Sequence, residues 1–175
     1  DVFSTFLYKG NNTNNHHIQN GIDLTEGGVV WIKDREQTSN FTLTDSAYLM
    51  GTTNKDFIQS NTSNAAQTGP LINSFESNGF KLSGEWYANS AYDYSSWTFR
   101  KAPGFFDVVT YTGNGNDNRA ISHSLGSIPG MIIVKAVNDS SPWTVYHREI
   151  GATKYLYLND SQAVATDEWW ADTTP

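Results

Sequence analysis

The chain contains no cysteine, two methionines and five prolines. Without cysteine there are no disulfides, no thiolate metal sites and no cysteine nucleophile, and the compartment stays open, because cysteine-free chains occur inside and outside cells. Charge is scarce as well: Asp, Glu, Lys and Arg make up 17% of the residues, below the usual quarter of a soluble chain. Cations are the scarcer sign, with 11 Lys and Arg against 18 Asp and Glu, a net charge of -7 and a pI near 4.9. No basic run occurs, which argues against the clustered Lys and Arg that nucleic-acid binding draws on. No apolar run approaches the eighteen or so residues of a membrane helix, so no membrane insertion is expected. Hardly any segment carries helical periodicity. The chain opens at Asp1 without a signal-type segment, and a piece of something longer is the expectation.

What is present points to strands. Aromatic residues are 14% of the chain and hydrophobic residues 38%, so a core of Trp, Tyr and Phe is expected, and such side chains suit a pleated surface. With 175 residues the chain suits one large domain or two small ones. Asn, Ser, Thr and Gly supply the polar balance, a surface common on secreted or virion β proteins.

The order of segments repeats. Val2–Tyr8 alternates as a strand, Gly10–Asn15 is a turn, and His16 to Ile18 begin a short return strand. Val29–Lys33 reads as a buried strand, with further short strands at Phe41–Leu43 and Asp56–Gln59. Asn61 to Pro70 is a surface loop, and Leu71–Phe75 with Phe80–Leu82 forms a hairpin about Ser77-Asn78-Gly79. Trp86–Ser96 reads as an aromatic loop and Trp97–Arg100 as a closing strand. After Ala102-Pro103-Gly104 come an expected strand at Phe106–Thr112, a turn at Gly113–Asn118 and a short return at Ala120–Ser122. Met131–Val137, Trp143–His147 and Tyr155–Asn159 follow as strands. Tyr111-Thr112-Gly113-Asn114 echoes Tyr8-Lys9-Gly10-Asn11, and Ile132 to Lys135 echoes Val30 to Lys33, at an offset of about 100 residues. The expected fold is therefore all-β, an antiparallel sandwich or jelly roll in two tandem units, 1–103 and 104–175. The second is expected to be incomplete, because counterparts of Phe80–Leu82 and Trp97–Arg100 fall past Pro175. Such a sheet has unpaired edges, so a longer polypeptide or a neighbouring chain is expected to complete it.

Chemistry-bearing groups are thinly spread. His16, His17, His123 and His147 lack partners at metal spacing, and no metal or other cofactor is expected. Glu76, Glu85, Asp93, Asp107, Glu149, Asp167 and Glu168 are scattered rather than paired as glycoside hydrolysis requires. No G-x-S-x-G elbow occurs, so no catalytic residue is assigned and no enzyme is expected. Gly113 to Asn118 is a turn rather than a phosphate or calcium loop, since no helix follows and only Asp117 is acidic. Asn-x-Ser/Thr triplets start at Asn11, Asn40, Asn61, Asn138 and Asn159, acceptors only in a eukaryotic secretory setting. The aromatic clusters are the candidate contact residues: Trp86, Tyr87, Tyr92 and Tyr94 in one stretch, and Trp169 with Trp170 near the end. Flat rings flanked by Asn and Asp suit a glycan or a partner surface, or serve only to anchor their own loop.

Four blocks carry a resemblance: GGVVWIKDR at 27–35, LINSFESNGFKL at 71–82, SWTFRKAPGFFDVVTYTGNG at 96–115 and HSLGSIPGMIIVK at 123–135. They resemble a domain recurring in fibre and other structural proteins of tailed phages, those of marine cyanobacteria especially. The resemblance implies a lectin-like or laminin-G-like β-sandwich in tandem within a long virion protein. It further implies a homotrimer in contact with other virion proteins and with host-surface glycans, and transfers no catalytic residue. The expected function is a tail or capsid fibre segment acting as spacer or adhesion module. The alternatives are a carbohydrate-binding module of a secreted or cell-surface protein and a glucanase-like hydrolase on the same fold.

Overall fold

The computed structural model describes residues 1–48, 57–84, 86–167 and 169–173, without the Trp86 side chain. Among them the chain is all-β apart from one helical turn, and every strand pair is antiparallel. The strands are β1 (Phe3–Lys9), β2 (His16–Ile18), β3 (Gly28–Asp34), β4 (Thr42–Asp45), β5 (Ile58–Gln59), β6 (Ile72–Glu76), β7 (Gly79–Leu82) and β8 (Asp93–Arg100), with α1 (Trp86–Asn89) before β8. After β8 come β9 (Met131–Val134), β10 (Thr144–His147), β11 (Lys154–Tyr157) and β12 (Ala165–Thr166). They form a five-stranded sheet in the order β1-β8-β3-β4-β5, a three-stranded sheet β2-β7-β6, and a four-stranded sheet β12-β11-β10-β9. None of these closes into a barrel.

The larger core cluster draws on both of the first two sheets: Tyr8, Val30, Ile32 and Tyr94 from one, and Ile18, Ile72, Phe80 and Leu82 from the other. Successive residues of a strand point to opposite faces. Phe6, Tyr8, Val30, Ile32, Tyr94, Ser96 and Thr98 therefore share the core face. Ser96 and Thr98 are fully buried there. Their hydroxyls are satisfied, since Thr98 Oγ1 accepts from Asn20 Nδ2 at 2.8 Å and Ser96 Oγ donates to the Phe6 carbonyl at 3.4 Å.

Those polar core positions explain one correction. Trp86–Ser96 is not a loop: its first residues form α1, and β8 begins at Asp93. A strand whose inward positions are Tyr94, Ser96 and Thr98 lacks the apolar alternation that sequence reading looks for. Within α1, the fully buried Asn89 binds four neighbours. Its Nδ2 donates to the carbonyls of Thr13 and Ser83, both at 2.7 Å, while its Oδ1 accepts from the Asn11 N–H at 3.1 Å and lies 2.8 Å from His16 Nδ1. The expected hairpin forms between β6 and β7, with Ser77-Asn78 as its two turn residues. Positive φ falls on Gly79, at +118°, where a Cβ would lie 2.0 Å from the Ile18 carbonyl oxygen. Asp56 lies outside the described residues, and Ile58–Gln59 is β5.

The pairings of the third sheet reproduce those of the first. Ile32↔Thr42, Trp31↔Leu43, Val30↔Thr44 and Val29↔Asp45 become Val134↔Thr144, Ile133↔Val145, Ile132↔Tyr146 and Met131↔His147 when every number is raised by 102. Thr42↔Gln59 and Leu43↔Ile58 become Thr144↔Tyr157 and Val145↔Leu156 when the second partner is raised by 98. The bridge Phe57↔Gln67, raised by 98, is Tyr155↔Ala165. Turn chemistry follows the same shifts: Lys33 Nζ donates to the carbonyls of Asp34 and Gln37, and Lys135 Nζ to those of Ala136 and Asp139.

Two expected strands are absent. Residues 107–112 and 120–122 are irregular and mostly exposed. Their echoes in the first half, β1 and β2, are held by β8 and β7 respectively. Among the described residues, 107–112 and 120–122 have the side chains of strands and pair with no other strand.

The third sheet is fixed to the first by Trp143. Its indole joins Ile58, Ala66, Leu43 and Val137 in a second buried cluster, and its Nε1 donates to the carbonyls of Gln59 and Thr62, both at 3.1 Å. Ala66 N–H donates to Val137 O at 2.8 Å beside it. Trp143→Ala is expected to cost about 3–5 kcal/mol in urea unfolding, and Trp143→Phe, which keeps one ring but loses both hydrogen bonds and part of the packing, about 1–3 kcal/mol. Asn89→Leu is expected to cost at least about 3 kcal/mol by the same measurement, since it orphans buried carbonyls and an N–H together.

Candidate functional site

The face of the five-stranded sheet that points away from the larger core is built from rings. Trp31 stands opposite Trp97 across β3 and β8, with centroids 6.2 Å apart, and Phe41 lies 6.4 Å from each. Phe41 and Trp97 are stacked at 29°, and Lys33 Nζ sits 5.6 Å over the Phe41 ring. Further along, Phe3 packs on Phe99 at 4.9 Å, and Phe106 reaches Phe99 at 5.5 Å. Phe3 and Leu7 are exposed, while Trp31, Phe41 and Trp97 are half-buried. Trp31 Nε1 is buried without an acceptor, an arrangement rare for an indole, which usually finds a partner. A half-exposed aromatic face of this kind can stack on apolar surface of a ligand or partner. Its elements were legible in the sequence as separate strands, but not as one face, because that needs the β3–β8 register.

The aromatic residues singled out from sequence are separated by the structure. Tyr94 is fully buried and stacked on Tyr8 at 5.2 Å and 11°, so it is a core residue and presents no surface. Burial drives the Tyr94 phenol up to about 12, and drives Tyr8, whose hydroxyl donates to the Ala88 carbonyl at 2.9 Å, well above its usual value. Tyr87 packs on Phe57 at 4.7 Å. Tyr92 is exposed and lines a groove of about 330 Å³ with Asp34, Gln37, Thr38, Ser39 and Ser90. The Trp86 side chain lies outside the described residues. Trp169 and Trp170 belong with the third sheet, where Trp169 lies 6.0 Å from Tyr155 and Trp170 5.7 Å from Tyr146. Trp169 is exposed, and Trp170 is half-buried with Nε1 unpartnered.

Several acids and histidines are engaged in local bonds. Glu76 pairs with Lys81 at 2.9 Å and accepts from Ser74 at 2.6 Å, and these bonds hold its carboxyl below the usual range. His123 and His147 accept backbone N–H groups of Leu125 and Glu149 through Nδ1. Among the described residues no three His, Asp or Glu side chains converge as metal ligands. Glu85 and Glu168 lie outside them. Residues 113–118 form an exposed turn, with positive φ at Gly115 and Asn118.

A family profile described as a domain of unknown function, DUF7483, matches residues 1–175. The chain belongs to that family. No curated protein and no solved structure matches the chain. Among the described residues, no helix is long and apolar enough to cross a membrane.

Asp107 ties the segment after β8 together. Its side chain is 4% exposed, its Oδ1 lies 3.1 Å from Lys101 Nζ, and its Oδ2 accepts from the N–H and hydroxyl of Ser124 at 2.6 and 2.8 Å. Burial pushes its carboxyl up, but the Ser124 bonds and Lys101 outweigh that and leave it below the usual value. A carboxyl lowered on folding stabilises fully above the unfolded value of about 4, and its contribution fades as pH falls through the lower folded value. Asp107→Asn is therefore expected to cost about 1 kcal/mol at pH 7, since Lys101 is partly solvated, and the difference should shrink in urea unfolding curves as pH falls below the unfolded value of about 4.

Proposed function

We propose that the chain is a structural segment of a virion appendage, a tail or capsid fibre, acting as a spacer or host-surface adhesion module rather than an enzyme. The observation that carries this reading is the recurrence of strand register under shifts of 102 and 98, which favours two tandem related units, 1–103 and 104–175. Modular repetition is how elongated proteins gain length, each unit contacting its neighbour. Here the contact is the Trp143 cluster. In the first unit we read the five- and three-stranded sheets as a jelly-roll sandwich of the lectin or laminin-G type. The virion setting and a homotrimer with other virion proteins rest on the sequence resemblance to tailed-phage fibre domains.

A second reading is a carbohydrate-binding module on a secreted or cell-surface protein. The half-buried Trp31, Phe41 and Trp97 face favours it. Light scattering and a glycan array separate the two. A trimer whose array stays blank is expected under the structural reading. A monomer showing saturable glycan binding, lost in Trp97→Ala, would replace it with the lectin.

A further inference from the structure

Asp34, the last residue of β3, is only 5% exposed. Carboxylates this deep in a protein are almost always paired, and an exception calls for a reason. Among the described residues, the buried Asp107 side chain has Lys101 as its partner, whereas no lysine or arginine forms an ion pair with Asp34. Its chain neighbour Lys33 lies on the ring-lined face of the sheet, where the ammonium donates to the carbonyls of Asp34 and Gln37 and sits over Phe41. Of the two Asp34 carboxylate oxygens, Oδ1 accepts the N–H groups of Glu36 and Gln37 at 2.9 and 3.1 Å, and Oδ2 accepts from no described residue.

Local structure accounts for Oδ1 alone. The turn after β9 matches the one after β3, and raising the number by 102 puts Ala136 in the place of Asp34. The lysine clamp persists there without a carboxylate, since Lys135 Nζ holds the carbonyls of Ala136 and Asp139 as Lys33 Nζ holds those of Asp34 and Gln37. The acid is therefore dispensable for that turn. Oδ2 keeps contact with solvent, and the open space beside Asp34 is the groove of about 330 Å³ that it lines with Gln37, Thr38, Ser39, Ser90 and the exposed Tyr92. Among these residues the one charge is that of Asp34. A second carboxylate stands close by, because Glu36 Oε2 accepts the N–H of Asp93, the residue after Tyr92, at 3.2 Å.

We infer that this groove receives the guanidinium of an arginine carried by a partner protein, with Asp34 Oδ2 as its counter-ion and the Tyr92 ring as its stacking surface. A planar cation that only donates hydrogen bonds suits a site made of one unpaired carboxylate, a side-chain amide, hydroxyls and an exposed ring. Guanidinium over a tyrosine face adds cation–π attraction. Lysine fits less well, because its ammonium is compact and more strongly hydrated. A neutral sugar would use the ring and the hydroxyls but leave the buried charge without an opposite one. The net charge of -7 draws basic partners toward the chain as a whole. The inference stands apart from both functional readings, since it concerns a protein contact that a spacer and a carbohydrate module can make alike.

The test follows the amide NMR signals of the intact chain during titration with the blocked tripeptide acetyl-Gly-Arg-Gly-amide. Its citrulline analogue, which keeps the shape and loses the charge, and its lysine analogue serve as comparisons. Expected are saturable shifts at residues 34–39 and 90–93 with the arginine peptide, and binding at least about ten-fold weaker with the other two. Asp34→Asn keeps the oxygen that accepts the Glu36 and Gln37 N–H groups and should weaken binding by the same factor. Tyr92→Leu should weaken it about three-fold, while Ile128→Ala, at an exposed site in the second half, should leave it unchanged. Absence of saturable shifts overturns the inference, as does equal binding of the citrulline peptide. Methyl glycosides that shift the same amides where the arginine peptide does not would overturn it too, and would give the groove to a sugar. Free L-arginine binding more tightly than the peptide would make the ligand an amino acid and overturn the assignment to a partner protein.

Discussion

The fold depends on β8 being hydrogen-bonded along both edges. Seven residue pairs join it to β1 and seven to β3. Through this strand the N-terminal segment, the apolar run at Val29 to Ile32 and the Tyr8–Tyr94 stack come into one register. The same register sets both faces of the sheet: Tyr94, Ser96 and Thr98 go to the core, and Ser95, Trp97 and Phe99 to the ring-lined side. A one-residue slip would exchange the two faces and bury Trp97 where Ser96 now fits. Among the described residues the second half has β9, β10 and β11 in matching places and no strand in the β8 place, and its apolar side chains at Met131, Ile133, Leu158 and Val164 are exposed.

Polar groups inside the first half are handled by pairing rather than exclusion. Asn89 joins α1 to the turn at Asn11 to Thr13 and to Ser83, and Asn20 meets Thr98. A buried amide with all its bonds made fixes geometry more sharply than an apolar side chain of similar size, because the bonds have direction. This arrangement holds the loops at one end of the sheet in place.

Strand identity was legible in the sequence wherever β-branched or aromatic residues alternated next to a clear turn, as at Phe3–Lys9, Gly28–Asp34 and the β6–β7 hairpin. Illegible were the features that depend on partners far away. Residues 107–112 have as much strand character as Phe3–Lys9 and differ in pairing with no described strand. Tyr94 looked like a surface ring because Asp93 and Ser95 flank it, yet the stack with Tyr8 carries it inward. The face shared by Trp31, Phe41 and Trp97 could not be assembled from residues far apart in the chain without a register. Chemistry was legible only as scattered side chains, and the structure commits Glu76 and Asp107 among them to lysine partners.

The two numerical shifts differ by four residues, and the difference falls in the connection between β4 and β5 as against that between β10 and β11. No pair on either side moves in consequence. The ladder pairings match while the lengths of the two connections differ, as is possible when closing a slightly longer loop costs little. Foreign sequence grafted between β10 and β11, such as an epitope or an affinity handle, is expected to leave the paired strands on either side in register.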